Sequence, residues 1–167
     1  EKHVKEFVHV EGMEYLGGID PGYKDPTAFV AMAYDPKSDR FHIFDEYQEA
    51  QAVTAGHAKV IAEMMVKYGI ETIYIDAAAA QFAADLAYTY DIATIRAKKA
   101  VNEGIAYVQT LIEQDRLYVS PNCMHTLLML DQYRWKMDVQ SGVEKPEHGI
   151  ASHMADAIRY ALYTYTI

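Results

Sequence analysis

The sequence predicts an α/β fold on a mixed sheet, three antiparallel strands followed by parallel ones, with helices on both faces. Three observations carry this. Residues 15–20, 27–34 and 40–48 are apolar runs separated by turn chemistry, Pro21-Gly22 with Asp25-Pro26 and then Asp35-Pro36-Lys37-Ser38-Asp39, the pattern of a meander. After residue 50, helix-period segments alternate with short β-branched runs, the pattern of strands joined by crossovers. The 167 residues are enough for one sizeable core.

The elements follow in order. Residues 1–14 are polar and weakly patterned, and read as a linker or an added edge strand before a domain spanning 15–167. Val60, Ile61, Met64, Met65 and Tyr68 recur at helical spacing over 52–68, with Gly69 as the C-terminal stop. Residues 72–76 form a β-branched strand ending in Asp76. Ala77–Ala80 with Phe82, Ala83 and Leu86 favour a helix. Residues 92–95 read as a short strand. A helix over 101–114 carries Ile105, Val108, Leu111 and Ile112 on one side, and 117–119 is a short extended piece. Ser120-Pro121 reads as N-cap and first helical position of a helix to about 133. Residues 135–149, with Ser141-Gly142 at the tip, read as a hairpin or loop insertion. Ser152 caps a last helix to about 163.

Composition narrows the function. The hydrophobic fraction is 51% and the mean hydropathy −0.16, as in ordinary globular domains. No apolar run reaches the roughly 20 residues of a membrane span, and no signal peptide is visible. The lone Cys123 excludes an internal disulfide and a cysteine zinc site. The net charge of −9 argues against a self-sufficient nucleic-acid binder. It leaves room for an enzyme that meets phosphate through bound cations. The chain starts at Glu1 rather than Met, which suggests a processed chain or an excised piece of a longer one.

Three aspartates hold the candidate chemistry. Asp20 ends the first strand before Pro21-Gly22, Asp76 ends the fourth, and Asp156 lies in the last helix. His153, Asp156 and Tyr160 stand at i, i+3 and i+7 and share a helix face. Ala155, Ala157 and Ala161 let that helix approach the sheet closely. Converging carboxylates form a hard, oxygen-only pocket suited to Mg²⁺ or Mn²⁺. Two such ions about 3.5–4 Å apart support in-line hydrolysis of a phosphodiester without a side-chain nucleophile. Each aspartate also has a plain reading: Asp20 as a turn residue, Asp76 as a helix cap, Asp156 as a partner of Arg159. A phosphate-binding loop fails because Tyr23 stands where G-x-x-x-x-G-K-[ST] needs lysine. No G-x-S-x-G or H-E-x-x-H is present.

Gly18-Ile19-Asp20-Pro21-Gly22 resembles ribonuclease H-like nucleases. Lys98-Lys99 with Gly104-Ile105, Leu130-Asp131-Gln132-Tyr133-Arg134-Trp135-Lys136, Lys145-Pro146 and His153-Met154-Ala155-Asp156-Ala157-Ile158-Arg159-Tyr160-Ala161-Leu162 resemble, in that order, the nuclease domain of tailed-phage terminase large subunits. The resemblance covers about 15–165 and implies a ribonuclease H-like fold. It implies a metal-dependent endonuclease that cuts concatemeric double-stranded viral DNA during packaging in the host cytoplasm. It places the family's metal ligands on Asp20, Asp76 and Asp156, holding two Mg²⁺ or Mn²⁺ ions, with His153 beside the metals or positioning water. The family's ATPase motor domain has no counterpart in this sequence. Portal and small terminase subunit are the implied partners of the full-length protein. Where some relatives carry Glu at the second ligand, this chain has the shorter Asp76. Lys98, Lys99, Lys136 and Lys145 are candidate DNA contacts, though lysine pairs are usually solvated surface. Asp25 reads as an outer ligand or a turn residue, Trp135 as a buried anchor, and Glu46 and Glu49 as a solvated strand edge. Two other readings compete: a Holliday-junction resolvase-like nuclease, and a catalytically silent ribonuclease H-like module that binds a protein partner.

Overall fold

The computed structural model describes residues 2–22, 26–50, 54–98, 100–131 and 150–166. They form β1 (Glu14–Asp20), β2 (Thr27–Asp35), β3 (Arg40–Glu49), α1 (Thr54–Tyr68), β4 (Thr72–Ile75), α2 (Ala80–Tyr90), β5 (Ile95–Arg96), α3 (Val101–Glu113), β6 (Leu117–Val119), α4 (124–131) and α5 (Ile150–Thr166). The sheet order is β5-β4-β1-β2-β3-β6. β1, β2 and β3 pair antiparallel. β4 joins β1, β5 joins β4 and β6 joins β3, all parallel. The mixed sheet with helices on both faces is the predicted class. Among the described residues no helix is long and apolar enough to cross a membrane.

Strand alternation sorts the core into two halves. Leu16, Ala28, Val30, Met32, Phe41, Ile43 and Tyr74 point to one face, where they meet Leu111 of α3 and Met154, Ala157, Ile158 and Ala161 of α5. Ile19, Phe29, Ala31, Ala33, Ile73 and Ile75 point to the other, against Ile61 and Met64 of α1 and Phe82 and Leu86 of α2. Phe29, Leu16, Ile19, Met32 and Ile73 have no exposed surface, and burying one such side chain stabilises by about 1.5–3 kcal/mol.

The structure departs from the sequence reading in four places. The fifth strand occupies 95–96 rather than 92–95. Ile92 is instead buried below the α2 terminus, its N–H bonded to the Leu86 carbonyl at 3.1 Å. Asp91, in the left-handed region at φ 55°, makes that turn. Residues 117–119, read only as a short extended piece, are an edge strand of the main sheet. The N-terminal stretch joins this edge through a parallel bridge of Val4 to Val119. α4 starts at 124, not after Ser120. Its cap comes from a distant strand: Glu46 accepts the N–H groups of His125 (2.7 Å) and Thr126 (2.9 Å) and the Thr126 hydroxyl (2.8 Å). A register shift between Ala31 and Met32 leaves Phe44 as the extra residue of β3. This bulge rephases the strand, so that Glu46 pairs with Val30 and faces the α4 side. Glu46 is therefore a helix cap and not a solvated edge residue. The predicted 135–149 hairpin, Arg134 and Trp135 lie outside the described residues.

Candidate metal centre

The site forms where β1, β4 and α5 meet. Leu16, Gly18 and Asp20 alternate onto the α5 face, and Tyr74 and Asp76 do the same next door. The parallel register pairs Gly18 with Tyr74 and Ile19 with Ile75. One further step brings Asp76 opposite Asp20. β4 itself stops at Ile75. Asp76 then opens a turn in which its Oδ1 accepts the Ala78 N–H at 3.0 Å. The cap of α2 is Ala79 and uses no side chain, so Asp76 holds the turn before the helix and not the helix end.

α5 reaches this corner because the strand gives way to it. A Cβ built on Gly18 would lie 2.1 Å from the Ala157 carbonyl oxygen and 3.1 Å from the Ala161 Cβ. Only glycine admits the helix backbone that closely. Ala157 and Ala161 are fully buried, as the sequence reading of small residues on this helix requires. The helix is enclosed almost all round from Met154 to Leu162, since α3 covers its outer side.

Asp20 is 6% exposed. Its Oδ2 lies 3.1 Å from His153 Nδ1. When Asp20 is a carboxylate, the imidazole carries its proton on Nδ1 and donates it to this bond. Burial, and next the charge of Asp156, push the Asp20 carboxyl up to about 7; the His153 bond and charge act against this, and the Asp76 charge adds to it. Asp156 gives its Oδ1 to Arg159 Nη2 at 3.0 Å. Tyr160, 7% exposed, forms a wall of the site. Its hydroxyl is pushed well above the usual phenol range by burial first and then by the charges of Asp20, Asp156 and Asp76. Asp156 and Asp76 thus act on both Asp20 and Tyr160, and Asp20 acts on Tyr160 as well.

Each aspartate therefore has one oxygen engaged, Asp20 Oδ2 by His153, Asp76 Oδ1 by the Ala78 amide and Asp156 Oδ1 by Arg159. The second oxygen of each makes no hydrogen bond among the described residues. Among these residues no three His, Cys, Asp or Glu side chains stand close enough together to hold a metal ion as they are placed. Three like charges repel until a cation joins them, and the donor set, all hard oxygen, fits Mg²⁺ or Mn²⁺.

Of the other candidates, Lys98 is exposed in the loop after β5, at the sheet edge where β1 and β4 also end. Its N–H bonds Thr164 Oγ1 of α5 at 2.9 Å, and the preceding Ala97 N–H bonds the Ile75 carbonyl at 2.8 Å. Asp25, Lys99, Lys136 and Lys145 lie outside the described residues. Sequence reasoning missed two residues. Thr27, fully buried, accepts the Gly22 N–H and donates to the Gly22 carbonyl, closing the loop after Asp20. Arg159, 6% exposed, appeared only as a neighbour of Asp156. A basic residue inside an otherwise apolar helix repeat was the available signal for it.

The family profile described as Terminase RNaseH-like domain matches residues 17–164. The chain belongs to this terminase RNase H-like family. It is 40% identical over 174 residues to the large subunit of the terminase of Escherichia phage T5, covering 97% of the chain and 39% of that protein. The chain thus spans about two fifths of that relative's length. Among solved structures, the large terminase of the thermophilic bacteriophage D6E superposes with TM-score 0.79 at 22% identity, covering 99% of this chain and 42% of that one. The large terminase nuclease domain of bacteriophage SPP1, solved with bound Mn, superposes with TM-score 0.69 at 20% identity, covering 96% and 94%. At these identities the two structures establish the fold of this terminase domain as that of the terminase nucleases.

Proposed function

We propose that this terminase domain is a metal-dependent endonuclease that cuts double-stranded viral DNA during genome packaging, with Asp20, Asp76 and Asp156 as metal ligands. The observation that carries this is the shared corner of β1, β4 and α5, where each of three carboxylates has one oxygen held by the chain and, among the described residues, the other without a hydrogen bond. The Mn-bound SPP1 domain of the same fold supports a divalent ion here.

When bound, two divalent ions would supply an activated water and neutralise charge on the phosphate and the leaving 3′ oxygen. The chain's own residues do the rest. Asp20 sits deepest and is braced by His153, which holds a proton at Nδ1 beside the site. Asp76 is braced by backbone and Asp156 by Arg159, so all three are oriented before a cation arrives. Tyr160 stays a neutral hydroxyl and offers a donor without adding charge. Lys98, exposed in the loop after β5, is read as a contact for the phosphate backbone.

In the full-length protein we read an ATPase motor, a portal and a small terminase subunit as partners, in the cytoplasm of the host. The test is cleavage of supercoiled plasmid by the purified chain with Mn²⁺ or Mg²⁺, and with EDTA. Cleavage that needs the ion and is lost in Asp20→Ala, Asp76→Ala and Asp156→Ala, each still folded by circular dichroism, is the expected result. Full activity in any of the three, or in EDTA, would refute the assignment.

A further inference from the structure

Arg159 is a charged side chain in a place built for it. It is 6% exposed, and its guanidinium carbon lies 4.9 Å from the Tyr160 ring centroid. Nη2 donates to Asp156 Oδ1, one helical turn back. Nη1 is buried and finds no acceptor among the described residues. A buried guanidinium with a donor unmatched among the described residues costs the fold more than an apolar side chain of that size would.

The slot that admits Arg159 comes from another helix. A Cβ built on Gly104 of α3 would lie 2.7 Å from both Cγ and Cδ of Arg159. Gly104 is buried inside α3, where glycine is normally worse than alanine by about 1 kcal/mol. The missing methyl therefore reads as room for the arginine stem.

We infer that Arg159 is a positioning residue for the third metal ligand, and that Gly104, by admitting its stem, sets the orientation of Asp156 from α3. Arg159 is too enclosed to touch DNA. It holds Oδ1 of Asp156 and so turns Oδ2 toward the corner shared with Asp20 and Asp76. This rests on the metal site proposed above.

The test is calorimetric titration of Mn²⁺ into the chain and two variants, well below their melting temperatures, where affinity belongs to the folded state and a purely structural role leaves it unchanged. Arg159→Lys keeps the charge and removes the planar fork, so orientation is isolated from charge. Gly104→Ala leaves Arg159 intact and displaces its stem, although helix propensity alone favours alanine. Each variant is expected to bind Mn²⁺ about tenfold more weakly. The double variant is expected to stay near the weaker single one, because both act through one contact. Unchanged affinity in both single variants, or fully multiplicative weakening in the double, overturns the inference while leaving the metal site standing. No Mn²⁺ binding by the unaltered chain overturns the site and the inference together.

Discussion

Gly18 of β1 lies directly beneath Ala157 of α5, so close that a methyl group at position 18 would stand 2.1 Å from the Ala157 carbonyl oxygen. That contact sets the height of the helix over the strand. It lies two residues before Asp20 on one element and one residue after Asp156 on the other.

Gly18→Ala is therefore expected to push α5 away from the sheet. Overpacking against backbone cannot be relieved by a rotamer change, so the loss should be about 3 kcal/mol. Urea unfolding measures it. Metal-dependent cleavage should fall further than stability does, because Asp156 moves with the helix. A variant as stable as the unaltered chain would show that the helix does not rest on this glycine.

Asp20 links the site to pH. Its folded pKa of about 7 lies above the ordinary 3.8, so the metal-free fold favours its neutral form. The contribution of this group to stability is complete below about pH 4 and is lost as pH rises through 7. Asp20→Asn should then stabilise the metal-free chain at pH 8 by on the order of 1–2 kcal/mol and do little at pH 4. Thermal unfolding in EDTA at the two pH values reads this. Equal shifts at both would contradict it.

His42 gives the opposite slope. It is 8% exposed, and its Nε2 lies 3.1 Å from the Lys5 carbonyl and 3.0 Å from Ser120 Oγ. Burial lowers its pKa to about 4, although the Lys5 bond works the other way. Stability from the neutral ring is present above about pH 6.5 and is lost as pH falls toward 4. His42→Gln should flatten the acid limb of the unfolding curve by about 1–3 kcal/mol. Amide exchange at Lys5, whose N–H donates to the Val119 carbonyl at 3.0 Å, and at Val119, whose N–H donates to the His3 carbonyl at 2.9 Å, should quicken in acid in the unaltered chain only.

Glu46 tests the long-range cap. It takes three donors at the start of α4, 79 or 80 residues away in sequence. Glu46→Ala should cost about 1–2 kcal/mol, seen as a drop of roughly 3–6 °C in melting temperature for a domain of this size. Glu49→Ala, on an exposed neighbour, is the control and should change little.

The sequence by itself determined most of the elements, but not the bounds of β5 and α4 or the membership of β6 in the sheet. Turn residues, β-branched runs and 3.6-residue periodicity act between neighbours, so β1, β2, β3, α1, α3 and α5 were legible without any distant contact. The same local rules put Asp20 at a strand end, and Asp156 and His153 on one helix face. Tertiary structure alone decided how these meet. The parallel β1–β4 register sets Asp76 beside Asp20, and the missing Cβ of Gly18 lets α5 bring His153 to Asp20 from 133 residues away. The bulge at Phe44 turned Glu46 from a surface residue into a cap, and the space at Gly104 turned Arg159 from a helix neighbour into a buried brace. Register, bulge phase and interhelix space depend on the summed packing of segments far apart in the chain, and no window of local sequence contains that sum.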